Sequence, residues 1–278
     1  MEFRKEVLKK VQKNIHLKAD ANRYPMKELL SKLAGKIKRT LRRNYHIYKG
    51  DLLPPRDCRY LREAFRSDKL FYESTVKEGI KLTEKLGVTN KTRILEIGCT
   101  TGRSFIGLVQ KVPDIYYIGI DINQWNIDWC KKYLAKGNPN YNFHYFDLKH
   151  VMYNPNGAIE MNDNFRFQYE TGYFDLIYAT GVIPNYIDNE VRILLKDFNR
   201  MLKTGGRVFI TSFVEENVPD MEENPDNYLM KFTYPRQIVR YEKNFFEQLI
   251  NEQGFRIDSF EHRTEIDFQS AYYLTKIR

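Results

Sequence analysis

The chain has 278 residues, of which 42% are hydrophobic and 29% are charged, and its formal net charge is +9. These values lie in the range of globular proteins and exclude an intrinsically disordered chain, and no stretch of about 18 apolar residues predicts a membrane span. Three widely spaced cysteines, Cys58, Cys99 and Cys130, fit neither a disulfide framework nor a zinc site. We therefore expect no bound metal, no secretory signal peptide in the charged first residues, and a cytoplasmic setting.

The positive charge is concentrated in residues 1–50, which hold 15 Lys and Arg against four acids, so residues 51–278 carry a net charge of −2. Apolar residues recur at helical spacing over residues 3–15 and 26–41, which predicts an N-terminal basic helical arm. Three interpretations stay open for this arm. It packs on the rest of the chain with a solvated outer face, it contacts an anionic membrane through residues 1–45, or it binds nucleic acid. The last is less favoured because no RNA-binding motif accompanies the charge.

From residue 51 the pattern becomes that of an α/β domain. A turn or linker is predicted at 50–56, and residues 60–86 have helical periodicity. Strands and helices then alternate, which predicts parallel strands joined by helical crossovers and a ligand beyond the carboxyl ends of the strands. The predicted strands are 93–97, 116–120, 142–146, 174–179, 206–212, 255–260 and 271–277, and the predicted helices lie near 103–111, 124–135, 188–202 and 244–253.

The most informative segment is the glycine loop after the first strand of this series, in the string RILEIGCTTGRS. The buried strand runs into Gly98, and Gly102 opens the next helix, so the loop backbone can approach a ligand closely. Its spacing is E-x-G-x-x-x-G, which differs from the G-x-G-x-x-G pattern of dinucleotide-binding enzymes. Glu96 before the first glycine suits a ligand that carries an ammonium group and disfavours a pyrophosphate.

Two further acids follow the next two predicted strands. Asp121 comes 23 residues after Gly98 and can accept hydrogen bonds from both ribose hydroxyls. Asp147 can accept a hydrogen bond from the exocyclic amine of an adenine. The backbone N–H of Leu148 can donate one to the adenine ring, and Ile122 can supply an apolar wall. An acid after a strand is often only a cap or turn residue, but three in this order form a specific pattern.

This arrangement resembles the class I S-adenosylmethionine-dependent methyltransferases over about residues 70–278. Similar strings include YFDLIYATGVIPNY, LLKDFNRMLKTGGRVFITSF and FFEQLINEQGFRIDSFE, and LPPRDCRYL is similar to a bacterial subgroup of methyltransferase-domain proteins with undefined acceptors. The resemblance implies a Rossmann-like α/β fold. Its seven-stranded, mostly parallel sheet has helices on both faces, and the antiparallel last strand, 271–277, lies between the fifth and sixth strands.

The resemblance also implies S-adenosylmethionine as the cofactor and S-adenosylhomocysteine as its product. Glu96 would lie near the methionine amino group, Asp121 would hold the ribose and Asp147 the adenine. Thr100 stands where relatives often have a third glycine, so it places a hydroxyl near the cofactor. The implied cofactor residues are Glu96, Gly98, Cys99, Thr100, Gly102, Asp121, Ile122, Asp147, Leu148 and Thr180.

The catalytic group is less clearly indicated. Many relatives carry a histidine after the fourth strand of this series, where this chain has residues 184–186. Asn185, Tyr186 and His150 are the candidates for a general base. Two insertions, about 149–164 and 214–243, are predicted to shape the acceptor pocket, because long connections often carry binding residues.

These patterns predict an S-adenosylmethionine-dependent methyltransferase that O-methylates a small molecule or a glycan, including a lipid-linked one reached at the inner face of the membrane. An Asn-Pro-Pro-Tyr motif for methylation of base amino groups is absent. Methylation of RNA or protein is one alternative. A non-catalytic S-adenosylmethionine-binding scaffold protein is another. A nicotinamide dehydrogenase is disfavoured by the loop spacing.

Overall fold

The computed structural model describes residues 44–60, 63–228 and 232–277. The predicted basic arm therefore lies outside the described residues, except for its end. That end forms β1 (His46–Tyr48), which makes a hairpin with β2 (Asp51–Leu53), so the predicted domain boundary at residue 50 falls in the hairpin turn. Residues from Tyr45 onward belong to one structural unit. Within the described ranges, no helix is both long and apolar enough to cross a membrane.

A mixed sheet organises this unit. Seven strands follow the order β10-β11-β7-β6-β3-β4-β5, in which β11 is antiparallel to both neighbours and β7, β6, β3, β4 and β5 are mutually parallel. The predicted fold class and the position of the last strand are therefore confirmed. In chain order, the nine strands that the described residues contribute to the sheet are β3 (Arg93–Ile97), β4 (Tyr116–Asp121), β5 (Tyr141–Tyr145), β6 (Phe174–Ala179), β7 (Leu202–Glu215), β8 (Met221–Glu223), β9 (Val239–Glu242), β10 (Phe255–Glu261) and β11 (Ser270–Lys276).

The two additional strands come from the predicted 214–243 insertion. β7 is longer than the predicted 206–212, and its far end pairs in parallel with β9, which pairs antiparallel with β8. The Arg240 guanidinium contacts the Glu222 carboxylate at 2.5 Å across these two strands. This part of the insertion is therefore an ordered extension of the sheet at its carboxyl edge.

Helices cover both faces of the sheet, as predicted. Neighbouring residues of β3 point into different cores, because side chains alternate along a strand. Ile94 lies in the core that contains Phe105 and Ile127, and Leu95 lies in the core that contains Leu194 and Phe246. The helices are α1 (Asp68–Ile80), α2 (Arg103–Val109), α3 (Gln124–Cys130), α4 (Asp188–Met201) and α5 (Lys243–Glu252), and π-helical turns Lys81–Lys85 and Lys131–Ala135 extend α1 and α3.

The helix predicted from the 60–86 periodicity begins later than its pattern. Ser67 caps α1 by accepting a hydrogen bond from a backbone N–H of the first turn. The buried guanidinium of Arg59 binds the carbonyls of Pro54 and Phe65 at 3.0 and 2.9 Å. These bonds hold the chain before α1 in a non-helical conformation that periodicity does not reveal.

α1 and α2 cross at two glycines. A side chain on Gly79 would overlap the backbone of Gly107, and one on Gly107 would overlap the carbonyl of Thr75. The two backbones are therefore in direct contact, which only glycine permits at both positions. This crossing places α1 against the helix that follows the glycine loop.

Candidate cofactor and acceptor site

The loop between β3 and α2 has a left-handed backbone at Gly98 (φ +71°), Thr100 (φ +46°) and Gly102 (φ +74°). A Cβ on Gly98 would lie 2.8 Å from the Val182 side chain, and a Cβ on Gly102 would overlap Leu134. Both predicted glycines are therefore required by backbone conformation and by space. The loop consequently presents bare backbone at the carboxyl edge of the sheet.

Asp121 connects the tip of β4 to this loop. Its Oδ2 accepts a hydrogen bond of 2.8 Å from the Thr100 N–H, and its Oδ1 accepts one of 2.7 Å from the Asn123 N–H. The N–H of Cys99 donates to the carbonyl of Ile120 at 3.0 Å. Burial raises the pKa of Asp121, although the hydrogen bonds from Thr100 and Asn123 favour its ionised form. The predicted ribose ligand thus also holds the glycine loop in place.

Glu96 is buried beneath the loop, where its Oε2 accepts a short hydrogen bond from the Tyr117 hydroxyl. Burial raises the pKa of Glu96 to about 7, although the Tyr117 and Ser104 hydrogen bonds and the charge of Arg103 favour the ionised form. Its carboxyl group therefore changes charge near neutral pH. An ammonium group beside it would favour the carboxylate.

A buried ion-pair network lies next to Glu96. The Arg103 guanidinium and the Lys81 ammonium contact Glu78 Oε1 at 2.9 and 3.5 Å, and the Tyr178 hydroxyl donates to Glu78 Oε2. Burial alone would raise the pKa of Glu78, but Arg103 and Lys81 outweigh it and lower this pKa to about 2. The network ties α1 and β6 to the start of α2. Sequence reasoning missed it, because its members are far apart along the chain.

Asp147 organises the start of the predicted 149–164 insertion. Its Oδ1 accepts hydrogen bonds from the Tyr145 hydroxyl at 2.6 Å and from Asn154 Nδ2 at 3.0 Å. The Tyr145 hydrogen bond is the main reason that the pKa of Asp147 is lowered. The Leu148 N–H, predicted to face adenine, donates at 2.8 Å to a backbone carbonyl two residues earlier.

The segment after β6 faces the glycine loop, since Val182 approaches Gly98. Thr180 Oγ1 is buried and makes no hydrogen bond with a described residue. Ile122, the predicted apolar wall, is partly buried against the core under α4 and α5. These predicted positions therefore converge at the carboxyl ends of β3, β4 and β6.

Two catalytic candidates of this segment have different surroundings. Asn185 Nδ2 donates to the carbonyls of Arg236 and Gln237 at 3.3 and 2.8 Å, which ties the segment to the second insertion. The Tyr186 carbonyl accepts a hydrogen bond from Tyr241 at 2.5 Å, while the Tyr186 hydroxyl bonds to no other described residue. Asn185 thus has structural partners, and Tyr186 has a free hydroxyl.

His150, the third candidate, is buried with a defined proton position. Its Nδ1 accepts hydrogen bonds from the N–H groups of Met152 and Tyr153, both at 3.2 Å. Burial lowers the pKa of His150, so the ring is neutral and its hydrogen is on Nε2. Nε2 lies near the backbone of Asn185 but forms no hydrogen bond with a described residue. The ring can therefore donate a hydrogen bond, and no nitrogen lone pair is left to take a proton.

Four further side chains face this region and were not predicted. The Tyr60 hydroxyl lies 3.4 Å from Asp267 Oδ2, and Gln269 Oε1 accepts a hydrogen bond of 2.5 Å from Thr211. Burial, Asp267 and Asp121 together raise the pKa of Tyr153. Tyr60 lies in the LPPRDCRYL string and Tyr153 in the first insertion, so these two had a sequence signal, and the other two had none.

The residues present fit S-adenosylmethionine. The glycine loop has no space for side chains, carboxyl groups lie below it at Glu96 and beside it at Asp121, and the strand after Asp121 leads to a third acid, Asp147. These groups match an amino group, a ribose and an adenine amine in chain order. Among the described residues, no group of three or more His, Cys, Asp or Glu could hold a metal ion.

Comparison with solved structures supports the same fold. Magnesium protoporphyrin IX methyltransferase from Synechocystis PCC 6803, solved with bound S-adenosylmethionine, superposes with a TM-score of 0.50 at 12% identity over 78% of this chain and 84% of that chain. The [4+2]-cyclase SpnF superposes with a TM-score of 0.51 at 14% identity over 73% of this chain and 81% of that chain.

Comparison of sequences adds the family. An uncharacterized protein of Rickettsia prowazekii is 28% identical over 121 residues, which are 43% of this chain and 19% of that protein, so the match spans about a fifth of the relative's length. Residues 20–259 match the family described as a methyltransferase domain. The chain therefore belongs to the methyltransferase domain family.

Proposed function

We propose that this protein transfers a methyl group from S-adenosylmethionine to a hydroxyl group of a small molecule or a glycan, including a lipid-linked one. The observation that carries this proposal is the Nε2–H of His150, a buried donor without a partner among the described residues. A hydroxyl oxygen has two lone pairs, so it can accept this hydrogen bond and still attack the methyl group, whereas a neutral amine has a single lone pair, which the attack itself requires. A buried N–H therefore favours an oxygen acceptor.

The residues of the site supply binding and position. S-adenosylmethionine, when bound, would supply a methyl group already activated for in-line displacement by oxygen, so positioning can provide most of the catalysis. As the C–O bond forms and the C–S bond breaks, the sulfur would leave as the neutral thioether of S-adenosylhomocysteine and the hydroxyl proton would pass to water. Glu96 and Asp121 would hold its amino group and ribose. The Tyr186 ring packs edge-to-face on His150, with ring centroids 5.4 Å apart, and both rings would lie beside the acceptor oxygen.

A labelled-methyl assay tests this proposal. The full-length protein and methyl-labelled S-adenosylmethionine are incubated with lipid, glycan, small-molecule, RNA and protein fractions of cells. We expect label in one of the first three, in a form stable to mild alkali, as a methyl ether is. Label in RNA or protein would favour those acceptors. Tight binding of S-adenosylmethionine without transfer to any fraction would favour the scaffold alternative.

A histidine variant tests the donor directly. His150→Phe keeps a ring between Tyr153 and Tyr186 and removes the N–H, so we expect at least tenfold slower transfer with unchanged affinity for S-adenosylmethionine. His144→Phe is the matched control, because His144 stacks on Tyr169 near the end of β5 and is largely exposed. Equal effects of the two variants would argue against the role of His150.

The basic arm bears on where the acceptor is met. Residues 1–50 hold 15 Lys and Arg against four acids, a charge that suits the anionic inner face of a membrane. We expect the full chain to sediment with phosphatidylglycerol vesicles at low salt and to dissociate as salt rises. Binding to tRNA with a steeper salt dependence would instead favour an RNA acceptor.

A further inference from the structure

Segments that start at opposite sides of the sheet approach its carboxyl edge. Tyr153 follows β5, and Asp267 precedes β11. Five strand spacings, roughly 24 Å, separate these two strands. Even so, the His150 ring packs on both Tyr153 and Tyr186, which follows β6, with ring centroids 5.0 and 5.4 Å apart. The insertion after β5 therefore reaches across the open ends of the central strands.

Two tyrosines at this edge keep part of their surface accessible. Tyr60 and Tyr153 have 37% and 55% of their surface accessible. Protein around them nevertheless raises the pKa of both hydroxyls, chiefly through burial. Ring surface that is accessible beside such a hydroxyl is available for contact with a ligand.

Polar groups converge next to Gly181, which follows β6 at the same edge of the sheet. A Cβ on Gly181 would lie 3.8 Å from the Tyr60 hydroxyl and 4.0 Å from Gln269 Nε2. Thr211 Oγ1 accepts a hydrogen bond from the Gly181 N–H at 2.8 Å and donates one to Gln269 Oε1 at 2.5 Å. Since Oε1 is engaged, the buried Gln269 side chain presents its NH₂ group as a donor, and this group bonds to no described residue.

The backbone beside these groups is held in a rare conformation. Asp267 and Phe268 are consecutive residues with φ of +57° and +62°. The bulky Phe268 side chain is 57% exposed and so does not explain this conformation by its own burial. Residues held in such sparsely populated backbone conformations cluster at functional sites. Here they place the Asp267 carboxylate against the Tyr60 hydroxyl.

We propose that Tyr60, Asp267 and Gln269 form an acceptor subsite for the hydroxyl groups of a neutral sugar ring, with the faces of Tyr60 and Tyr153 covering its C–H surface. Asp267 accepts hydrogen bonds, the Gln269 NH₂ donates them and the Tyr60 hydroxyl does both, which matches sugar hydroxyls that donate and accept. This subsite deepens the proposed function and depends on it.

The charges of the site disfavour other ligands. The Asp267 carboxylate repels an anionic acceptor such as a phosphate or a carboxylate. The positive charge of Arg103 opposes the rise that burial causes in the pKa of Tyr60, but this guanidinium is already paired with the Glu78 carboxylate at 2.9 Å. A neutral ligand rich in hydroxyl groups satisfies the free donors and acceptors without leaving a buried charge unpaired.

Methyl-transfer kinetics with simple sugars test this subsite. The full-length protein is assayed with labelled S-adenosylmethionine and a panel of methyl glycosides of neutral hexoses and 6-deoxyhexoses. Asp267→Asn and Tyr60→Phe each change one functional group without changing the size of the side chain. We expect transfer to at least one glycoside, a KM at least tenfold higher in each variant, and an S-adenosylmethionine Kd within twofold of wild type.

Matched controls lie at the opposite end of the sheet. Tyr116→Phe and Asp114→Asn make the same chemical changes next to the start of β4, and Tyr116 is 38% exposed, like Tyr60. We expect both control variants to keep the wild-type KM. Urea unfolding of all four variants shows whether a rise in KM reflects the subsite or loss of fold, and rescue at high glycoside concentration is expected only for the former.

Three results would overturn the inference, in distinguishable ways. If the wild type binds S-adenosylmethionine but labels none of the glycosides, the sugar subsite is wrong and the cofactor assignment stands. If Asp267→Asn weakens S-adenosylmethionine binding as much as it raises KM, these groups belong to the cofactor site. If the wild type does not bind S-adenosylmethionine, the proposed function fails and the subsite fails with it.

Discussion

Glu78 and Glu96 are both buried beside Arg103, and their carboxyl groups have opposite pKa shifts, to about 2 and to about 7. Two cations contact Glu78, whereas Glu96 accepts a hydrogen bond from the neutral Tyr117 hydroxyl. The permanent negative charge of Glu78 itself favours the neutral form of Glu96. One buried glutamate is therefore structural, and the other is left titratable beneath the cofactor loop.

The first prediction concerns the pH dependence of stability at Glu96. The pKa of Glu96 is about 7 in the folded chain, whereas the ordinary value of 4.5 applies to the unfolded chain. The unfolded chain therefore ionises this group at lower pH. This group therefore lowers the free energy of unfolding as pH rises from about 4.5 to about 7, by up to about 3 kcal/mol. We expect Glu96→Gln to remove this fall in urea denaturation. A variant profile parallel to that of wild type would contradict the assignment.

The same group predicts a pH dependence of cofactor binding. An amino group of S-adenosylmethionine near Glu96 favours the carboxylate, so binding below pH 7 should release a proton and affinity should rise toward pH 8. Calorimetry in two buffers with different ionisation enthalpies measures this release. Glu96→Gln should bind more weakly and without proton release, and release that persists in this variant would point to another group.

The second prediction compares how much the buried ion pair Glu78–Arg103 and the more exposed ion pair Lys85–Glu261 contribute to stability. Arg103→Met leaves the Glu78 carboxylate buried with only Lys81 beside it, and we expect a loss of about 3–5 kcal/mol in the free energy of unfolding. Adding Glu78→Gln should restore part of that loss. The control is Lys85→Met, whose more exposed contact with Glu261 should contribute less than about 1 kcal/mol. Additive effects of Arg103→Met and Glu78→Gln would mean that the pair is not coupled.

Acid unfolding provides a separate check on Glu78. Its pKa is lowered, so its contribution is present above about pH 4.5 and is lost as pH falls toward about 2. We expect Glu78→Gln to flatten the acid limb of the stability profile. Glu96→Gln should leave that limb unchanged below pH 4.5, where Glu96 is protonated in both states.

The third prediction concerns Asp121. Asp121→Ala removes the acceptors of the Thr100 and Asn123 N–H groups, and each unsatisfied donor should cost about 1–3 kcal/mol. We expect S-adenosylmethionine affinity to fall at least tenfold, through both the lost ribose contact and the released loop. Asp128→Ala, an exposed acid on α3, should leave affinity and stability close to wild type. Unchanged affinity in Asp121→Ala would contradict the cofactor site.

The fourth prediction compares two glycines with nearly the same backbone. Gly102 and Gly137 have φ of +74° and +75°, but only Gly102 has a neighbour, Leu134, in the path of a Cβ. Gly137→Ala should therefore show only the backbone penalty, about 1 kcal/mol. Gly102→Ala should lose more stability in urea and most of its S-adenosylmethionine affinity. Similar losses in both variants would show that Leu134 moves aside freely.

The predicted fold was accurate where local pattern decides structure. β3 matches its prediction residue for residue, because an apolar run ending at Gly98 leaves few alternatives. β8 and β9 were not predicted, because their strand conformation depends on pairing with the far end of β7. The late start of α1 likewise depends on Arg59 and its carbonyl partners, which no helical periodicity reports.

The site divides in the same way. Asp121 and Asp147 follow predicted strands, so topology alone brings them to one edge of the sheet. Tyr60 and Asp267 are 207 residues apart, and only the fold places them together. The sequence also indicated His150 as a candidate base. It could not show that Nδ1 accepts two backbone hydrogen bonds, which leave the ring able to donate a hydrogen bond but not to accept a proton.

The contact between Gly79 and Gly107 has a consequence for variation in this protein. Neither helix has a side chain at the joint that could repack, so a change there must displace α2 as a whole, together with the glycine loop at its start. Random mutagenesis scored by turnover would therefore mark both glycines as intolerant, much like true ligand contacts. Directed evolution toward new acceptors would do better to leave both glycines unchanged and to diversify the residues around Tyr60, Asp267 and Gln269.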